Sequence, residues 1–245
     1  MILQALEKDK RVRIVETAQQ IEVSTMTVRR DLQRLAEQGI VTLVHGGAVF
    51  NEGTAATPYV AAREKKMRQE KNSMAAYCAG LIKEGNAIYL DAGSTAKAIA
   101  ELLVERSNIA VITHSLSVMN ILAAARQLQL ISVPGIYSSD TNGFFGDMTQ
   151  RFIREFQLDI VFFGACAVND EGVMSPELAD RAVKQALVEH ARKRVLVADH
   201  TKIGSVSLVK VCDLQQLDMI VTDGMADLEF IRRAERMGLE VVRTR

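Results

Sequence analysis

The sequence predicts two units: an N-terminal winged helix-turn-helix followed by an α/β domain with a mostly parallel sheet. Three helical patterns and a short hairpin fill the first fifty residues. From Ala87 onward, short apolar runs typical of strands alternate with helical patterns. Alternation of this kind predicts a mostly parallel sheet covered by helices on both faces. A chain of 245 residues is long enough for two such domains.

The N-terminal patterns predict three helices in order. Ile2 and Leu6 mark one face of the first helix, and Val12 leads into the second. The third helix is expected to begin after Ser24, a good N-cap, and to end at Gly39, which favours the left-handed conformation of a helix stop. A short helix, a tight turn and a capped second helix together predict a helix-turn-helix.

A short hairpin and a connecting segment follow. Val41 and Leu43 alternate, and the turn His45-Gly46-Gly47 sends the chain back, so the hairpin has the size of a wing. Residues 51–58 are small and polar, which predicts a linker, and residues 61–71 are charged and helical in character. We therefore expect a DNA-binding domain at 1–50, a linker and connector helix at 51–80, and the α/β domain at 81–245.

The α/β domain is predicted from seven strand-like runs with helices between most of them. The runs are Ala87–Leu90, Ile109–Thr113, Leu130–Val133, Ile160–Phe163, Val195–Ala198, Met219–Thr222 and Leu239–Val242. The helical patterns include Ala96–Leu103, Ser117–Ala125, Arg181–Ala191 and Leu228–Arg236.

Composition excludes several classes of protein. Hydrophobic residues make up 48% and charged residues 24% of the chain, which is typical of a globular protein and excludes a disordered tail or a collagen-like fibre. A membrane helix needs about 20 consecutive apolar residues, and the apolar runs here are strand-sized. The start lacks the features of a signal peptide, so we expect a cytoplasmic protein without a membrane partner. Cys78, Cys166 and Cys212 lack metal or redox spacing and are expected in the core; no metal and no cofactor is predicted.

Charge is distributed unevenly although the total is zero. Lys+Arg and Asp+Glu each number 30, but residues 1–72 hold 12 basic and 9 acidic side chains and residues 73–245 hold 18 and 21. The front of the chain is thus mildly positive, which permits a DNA-facing module there without establishing one.

The third N-terminal helix places polar and basic side chains where a major groove would lie. Hydroxyls at the start of this helix reach phosphates or base edges, and the two arginines that follow reach phosphates or guanines. The candidate DNA-binding residues, including the wing tip, are Ser24, Thr25, Thr27, Arg29, Arg30, His45 and Gly46. A three-helix protein-interaction domain with a solvated arginine pair has the same spacing, so both interpretations stay open on spacing alone.

Two strand ends in the second domain have the residues of anion sites. Gly93, Ser94 and Thr95 follow a strand and open a helix, where hydroxyls lie beside free amides and the positive end of the helix dipole. Asp199 and Lys202 follow another strand, and a lysine at the carboxyl end of a parallel strand can meet a phosphate. An ordinary N-cap and a surface ion pair are the alternatives for the two motifs.

Part of the N-terminal unit carries a family signature. Its residues are Val23-Ser24, Thr27-Val28-Arg29-Arg30-Asp31-Leu32, Leu35, Gly39 and Val44-His45-Gly46-Gly47-Ala48. They resemble the signature of the DeoR family of bacterial transcriptional regulators, which are sugar-phosphate-responsive repressors. The resemblance implies that the helix after Ser24 reads double-stranded operator DNA. Two departures, an unusually short stretch before the first helix and Glu22 at a turn position often held by a small residue, leave room for weaker DNA affinity or a start codon assigned too late.

The second domain resembles the effector domain of the same family, which is related in fold to ribose-5-phosphate isomerase. The matching residues are Asp91-Ala92-Gly93-Ser94-Thr95, Thr113-His114-Ser115-Leu116, Phe145-Gly146, Asp159, Phe162, Gly164, Lys184 and Asp199-His200-Thr201-Lys202-Ile203-Gly204. The resemblance implies a phosphorylated sugar as effector. Its phosphate is expected near Gly93, Ser94, Thr95 and Lys202, with Asp199 in the same motif, and its sugar near Asp91 and Lys184. Three departures, His114, Pro134 and Asp180, are expected around the sugar.

These observations favour one function over two others. We expect a transcriptional regulator that represses a carbohydrate-utilisation operon and binds DNA as a dimer or tetramer. Its DNA affinity is expected to change when the effector binds. A sugar-phosphate isomerase needs a positioned general base, but the acidic cluster that follows the matching strand in those enzymes is replaced by Gly164-Ala165-Cys166. A protein-interaction module without DNA or ligand leaves the two anion motifs and the signature unexplained.

Overall fold

The computed structural model describes residues 2–37, 41–50 and 67–245. The chain divides into two compact units, Met1–Tyr59 and Val60–Arg245. The expected helix stop at Gly39, the expected linker at 51–58 and the first part of the charged stretch at 61–71 lie outside the described residues.

The N-terminal unit contains three helices and a small antiparallel sheet. Its elements are α1 (Ile2–Asp9), β1 (Arg11–Arg13), α2 (Ile14–Gln20), α3 (Thr25–Glu37), β2 (Val41–Val44) and β3 (Gly47–Phe50). The three helices and the wing are confirmed. Strand β1 was missed, because Val12 was expected to lead directly into a helix. Val12 instead pairs with Ala48 of β3, and a three-residue strand has too little sequence to show a period of two.

Apolar residues from all three helices and from the sheet form the core of this unit. Leu6, Val28 and Leu32 are fully buried, and Ala48 packs with them from the wing. The wing approaches β1 so closely that a Cβ at position 47 would lie 2.0 Å from the carbonyl oxygen of Val12. Glycine is therefore required there by space, and the wing has one fixed position against β1.

The turn of the helix-turn-helix follows from local hydrogen bonds. Glu22 adopts a left-handed conformation with φ 54°, and the amide of Val23 donates to the carbonyl of Ala18 across the end of α2. The Ser24 hydroxyl accepts a bond of 3.1 Å from the amide of Thr27, so the expected N-cap is confirmed. The turn position at which a small residue is often found therefore requires a positive φ. Glu22 adopts this φ at the conformational energy cost that a side chain has in the left-handed region.

The second unit has a central sheet flanked by helices. Its helices are α4 (Arg68–Leu81), α5 (Ser94–Glu101), α6 (Leu116–Leu122), α7 (Asp147–Ile153), α8 (Leu178–His190) and α9 (Leu228–Arg236). Its strands are β4 (Ala87–Leu90), β5 (Ala110–Thr113), β6 (Gln129–Ser132), β7 (Ile136–Ser138), β8 (Gly143–Phe145), β9 (Leu158–Phe163), β10 (Ala167–Asn169), β11 (Gly172–Ser175), β12 (Ala191–Val197), β13 (Val209–Cys212), β14 (Met219–Asp223) and β15 (Glu240–Thr244). One-turn 3-10 helices occur at His200–Lys202 and Leu214–Gln216.

Seven strands form a parallel sheet in the order β15-β14-β12-β9-β4-β5-β6. Each of the seven strand-like runs corresponds to one of these strands, so the fold class is confirmed. The ends differ most at β12, which begins at Ala191 rather than Val195 because the polar residues that open it still pair with β9. An apolar run in the sequence does not show where such a strand begins, because the first residues of the strand are polar.

Helices cover both faces of the sheet. Helices α4, α5 and α6 pack on one face with a core that includes Met74, Ile99 and Val118. Helices α8 and α9 pack on the other face, where Leu187 and Phe230 are buried. This arrangement explains why the sheet strands contain continuous apolar runs instead of alternating apolar and polar residues.

Short antiparallel elements add to this framework and were not predicted. Strands β7 and β8 form a hairpin, and β10, β11 and β13 form a second small sheet beside the carboxyl ends of the parallel strands. Each of these five strands has only three or four residues. Residue alternation over so short a stretch does not distinguish a strand from a loop.

The cysteines differ in their surroundings. Cys78 and Cys212 are buried, and burial raises the pKa of each thiol to about 12. Cys166 is only half-buried, so the expectation of a core position is wrong for this residue. Among the described residues, no helix is long and apolar enough to cross a membrane, and no group of side chains has the composition of a metal site.

Candidate functional site

Helix α3 presents one exposed surface. Val28 and Leu32 face the core, whereas Thr25, Arg29 and Arg30 are exposed on the remaining faces. Of the candidate residues at the helix start, Ser24 and Thr27 are brought together, with 2.9 Å between their hydroxyl oxygens. These two hydroxyls therefore take part in the cap of α3. Only the hydrogen-bonding positions that the cap leaves unused are available for a contact outside the helix.

Met26 also belongs to this exposed surface, and sequence reasoning missed it. Its side chain is 70% exposed in the first turn of α3, next to Thr25. An exposed methionine at a helix start has no packing role in its own unit. The sequence contains a signal for this exposure, since Met26 falls outside the apolar stripe of Val28 and Leu32, but an apolar residue type does not by itself indicate a DNA contact.

The wing tip is exposed as expected. His45 and Gly46 lie in the turn between β2 and β3, and Gly46 has φ 77°, a conformation that favours glycine. The side chains of Leu43 and Val44 beside the turn are also more than two-fifths exposed.

A cavity of about 270 Å³ opens at the carboxyl ends of the parallel strands in the second unit. It lies where β4, β9 and β12 end, which is the usual place for a ligand in an α/β sheet. Of the candidate effector residues, the following line it: Gly93, Ser94, Thr95, Lys184, Asp199 and Lys202. The structure thus brings together two motifs that are more than a hundred residues apart in sequence.

One wall of the cavity is the amino-terminal end of α5. Gly93 has φ 148°, and no heavy atom lies within 4 Å of the position its Cβ would take. Ser94 and Thr95 form the first turn, whose amides have no acceptor within the helix. Gly93 therefore leaves open space in front of amides and a positive helix dipole, which is the geometry of an anion cradle.

The opposite wall is the short helix His200–Lys202. Asp199 is buried and caps this helix, accepting bonds from the amide and the hydroxyl of Thr201. Lys202, at the end of the turn, lines the cavity. Asp199 therefore holds the turn in place rather than forming a surface ion pair with Lys202.

A buried ion cluster forms the floor. The Lys184 ammonium lies 2.6 Å from a carboxylate oxygen of Asp180 and 3.5 Å from one of Asp91. The Ser175 hydroxyl donates to the same Asp180 oxygen at 2.6 Å. Burial alone would raise the pKa of Asp180, but the charge of Lys184 and these hydrogen bonds outweigh it and lower that pKa. Burial opposes the charge of Lys184, yet the two carboxylates raise the pKa of Lys184, so it stays an ammonium.

Asp91 does not line the cavity but lies directly behind Lys184. One of its oxygens accepts a 3.1 Å bond from the amide of Gly164, and the other lies 3.6 Å from Nε2 of His114. His114 is fully buried, and burial lowers its pKa, so the imidazole is neutral. Its Nδ1 lies 2.8 Å from the Tyr89 hydroxyl. Asp91 is thus a positioning residue for Lys184 in this geometry.

None of the three departures from the family pattern lines the cavity, and two of them belong to this cluster. Asp180 contacts Lys184, and His114 lies beside Asp91. The carbonyl of Pro134 accepts a bond from Thr149, and Pro134 does not line the cavity. Asp180 and His114 can therefore affect the expected sugar position only through their contacts with Lys184 and Asp91.

The candidate set from the sequence does not include every residue of the cavity wall. Met67, Lys71 and Cys166 line the cavity together with the predicted residues. Lys71 is only 6% exposed, although the charged stretch that contains it predicts a connector helix. No local pattern distinguishes a lysine that turns into a cavity from one that faces water.

A helix-turn-helix with a wing, combined with an α/β unit whose cavity is lined by helix amides and lysines, is the architecture of a ligand-sensing transcription regulator. Two family descriptions match the chain: a DeoR-like helix-turn-helix domain at residues 1–54 and a DeoR C-terminal sensor domain at residues 66–224. The chain belongs to the DeoR family of DNA-binding transcription regulators.

Characterised relatives cover nearly the whole chain. The glycerol-3-phosphate regulon repressor of Escherichia coli is 30% identical over 223 residues, which is 91% of this chain and 88% of the relative. The transcriptional repressor AccR of Agrobacterium fabrum is 31% identical over 91% of this chain and 87% of its own length. The repressor GlcR of Bacillus subtilis is 26% identical over 99% of this chain and 94% of its own length.

Solved structures resemble part of the chain. Ribose 5-phosphate isomerase A from Methanocaldococcus jannaschii is 19% identical, with a TM-score of 0.41, over 56% of this chain and 54% of the isomerase. A similarity of this extent does not carry an activity over to the chain.

Proposed function

We propose that the chain is a repressor of a carbohydrate-utilisation operon, and that a phosphorylated sugar in the cavity changes its affinity for operator DNA. The observation that carries this proposal is the convergence of the α5 amino terminus and Lys202 on one cavity above the buried Lys184 cluster. The names of the relatives support it, since they are called repressors and one is the repressor of a glycerol-3-phosphate regulon.

The two ends of the cavity suit the two parts of a sugar phosphate. The amides of Ser94 and Thr95 and the ammonium of Lys202 are donors for a phosphate, whose charge the helix dipole also favours. Lys184 is already neutralised by two carboxylates. It therefore offers a fixed N–H donor to a neutral sugar hydroxyl rather than a free charge to a second anion.

We assign DNA binding to α3 and to the wing. Thr25, Arg29 and Arg30 are exposed on α3, where side chains of a recognition helix reach base edges and phosphates. His45 and Gly46 at the wing tip are placed to contact the backbone or the minor groove. Because operators with two-fold symmetry are read by two-fold proteins, we propose that the chain acts in the cytoplasm as a homo-oligomer, a dimer or a tetramer.

An isomerase activity is the less favoured function. Isomerisation needs a base that accepts and returns a proton, but Lys184 is held as an ammonium by Asp180 and Asp91. The segment after β9 that lines the cavity, Gly164-Ala165-Cys166, has no carboxylate. We therefore propose a binding site and not an active site.

Lys202→Ala tests the phosphate position. We expect the variant to bind inorganic phosphate and phosphorylated sugars at least tenfold more weakly, because one charge-assisted hydrogen bond contributes about 1.5–3 kcal/mol. Isothermal titration of a panel of sugar phosphates gives the affinities. The control is Lys83→Ala, an exposed lysine after α4 that does not line the cavity. Equal affinities for the Lys202 variant and the native chain would remove this residue from the site.

Met26→Ala tests whether the exposed methionine reads thymine. An apolar side chain in the major groove contacts the C5 methyl group of thymine, so we expect the variant to bind operator about fivefold more weakly, or about 1 kcal/mol. The same operator made with uracil lacks those methyl groups. If Met26 contacts them, the native chain loses affinity on uracil DNA while the variant does not. An equal loss for both proteins would exclude the contact.

A further inference from the structure

The hairpin of β7 and β8 has one open edge. Tyr137 lies opposite Phe144 at the centre of the hairpin. The amide of Phe144 donates a 2.8 Å bond to the carbonyl of His114, on the far side of β8. Opposed residues of an antiparallel pair point either both toward or both away from each other, so the amide and carbonyl of Tyr137 point away from β8. Among the described residues, β8 is the only strand that pairs with β7, which leaves these two groups of Tyr137 without a strand partner.

Large apolar side chains surround this open edge. Ile136 is 79% exposed and Met148 of α7 is 63% exposed, and no large apolar side chain among the described residues is more exposed than Ile136. A groove of about 740 Å³ between the hairpin and α7 is lined by both of them and by Phe152. We call the open edge of β7 and these side chains the β7 surface. Proteins usually protect an edge strand with charges, proline or a bulge, and β7 itself has no charged residue. An unprotected edge beside exposed apolar side chains indicates a surface that another chain covers.

The charges around the β7 surface have both signs. Asp147 and Arg151 form an exposed pair on α7, with 2.7 Å between their charged groups, and both line the groove together with Glu155. A surface with charges of one sign repels its own copy, whereas a surface with both signs can complement it. The charge pattern therefore fits a second copy of the chain better than a partner with charges of one sign.

The length of the open edge also favours a second copy. A foreign peptide added to β7 would gain only the two backbone bonds at Tyr137. Two copies related by a two-fold axis place their β7 strands antiparallel. An axis beside Tyr137 lets the Tyr137 amide of each copy donate to the Tyr137 carbonyl of the other, and every apolar contact then occurs twice. The Tyr137 side chain is already held in place, because its ring packs on Phe144 with 5.7 Å between the centroids and its hydroxyl donates a 2.8 Å bond to Asn142. Little side-chain freedom is therefore lost on association.

We propose that two copies of the chain associate through the β7 surface, with their β7 strands antiparallel about a two-fold axis at Tyr137. Association joins two hairpins into a four-stranded antiparallel sheet and buries Ile136 and Met148 of both copies. The inference rests on the proposed function, which includes a homo-oligomer, and it names the surface that forms one.

Sedimentation equilibrium of the full chain measures the dissociation constant of this contact. We expect Ile136→Lys to raise that constant at least tenfold, because the change places two ammonium groups in the apolar contact of each dimer. Val206→Lys is the matched control and should leave it unchanged, since Val206 is 68% exposed but does not line the groove. Hydrogen exchange of the Tyr137 amide reports strand pairing. At equal concentration, this amide should exchange at least tenfold more slowly in the native chain than in Ile136→Lys.

The outcomes separate the inference from the function on which it rests. Equal dissociation constants for Ile136→Lys and Val206→Lys would overturn the inference and leave a homo-oligomer that forms elsewhere, as would rapid exchange of the Tyr137 amide in the native oligomer. Exchange of the Ile88 amide in the central sheet must match the native chain, which shows that Ile136→Lys is folded; if it does not, Met148→Lys replaces it. A native chain that stays monomeric overturns the inference together with the homo-oligomer. Operator and sugar-phosphate binding are measured separately and decide the rest of the proposed function.

Discussion

Arg29→Ala is expected to lower operator affinity by about 1–3 kcal/mol per subunit, and by about twice that in a dimer that presents the residue twice. Arg29 is exposed on α3, one turn beyond Thr25. A total of about 2–6 kcal/mol is about half of the roughly 4–10 kcal/mol that separates specific from non-specific binding. Fluorescence anisotropy with an operator fragment and with a scrambled fragment measures both affinities.

Arg34→Ala is the matched control for this prediction. Arg34 is exposed on the same helix and carries the same charge, but it lies in the last turn, away from the helix start. Its loss should reduce affinity for both fragments to a similar, smaller extent. Sugar-phosphate binding should be unchanged in both variants. If Arg29→Ala binds operator as tightly as Arg34→Ala does, α3 does not read the operator through Arg29.

Asp180→Ala is expected to have the largest effect on stability. Asp180 is buried and holds the Lys184 ammonium at 2.6 Å, and its removal leaves that charge with Asp91 alone at 3.5 Å. Removal of one partner from a buried pair costs about 3–5 kcal/mol. We expect a loss near the lower end, because Asp91 remains. Urea unfolding followed by circular dichroism measures the free energy of unfolding.

Asp147→Ala is the control, because it removes a carboxylate from a pair of the same spacing on the surface. Asp147 contacts Arg151 at 2.7 Å, and both side chains are more than 70% exposed. The exposed pair should contribute less than about 0.5 kcal/mol. Equal losses of unfolding free energy for Asp180→Ala and Asp147→Ala would show that burial of the Lys184 cluster does not increase its contribution to stability.

The pH dependence of the Asp180 contribution has a defined sign. Because Lys184 lowers the folded-state pKa of Asp180, this contribution is fully present above the ordinary pKa of an aspartate, about 3.9, and is lost as the pH falls through the folded-state value. The difference in unfolding free energy between the native chain and Asp180→Ala should therefore shrink in acid.

The sequence was sufficient to predict the main elements because their signals are local. The parallel strands are apolar on both faces, so each appears as a short apolar run, and α3 combines a cap with an apolar stripe. Strand β1 and the small sheet of β10, β11 and β13 are held by pairing with distant strands. Elements of that kind are too short to carry a period of their own.

The site was predictable only where a motif marks it. Gly93 to Thr95 and Asp199 to Lys202 have residue types that are typical of strand-to-helix anion sites, and the structure brings them to one cavity. The sequence does not predict that Lys71 lines the cavity or that Met26 is exposed, since both depend on which way a side chain faces. The bond between Ser175 and Asp180 depends on a strand, β11, that the sequence does not reveal.

The most direct test of the central claim is a gel shift on DNA from upstream of the gene for this chain and of its neighbours, with and without a pool of phosphorylated sugars. The salt concentration must be fixed, because phosphate contacts make DNA affinity fall steeply with salt. The account predicts a specific complex that the pool changes, and fractions of the pool then identify the sugar. A specific complex that no fraction alters, or no specific complex on any of these fragments, would contradict it.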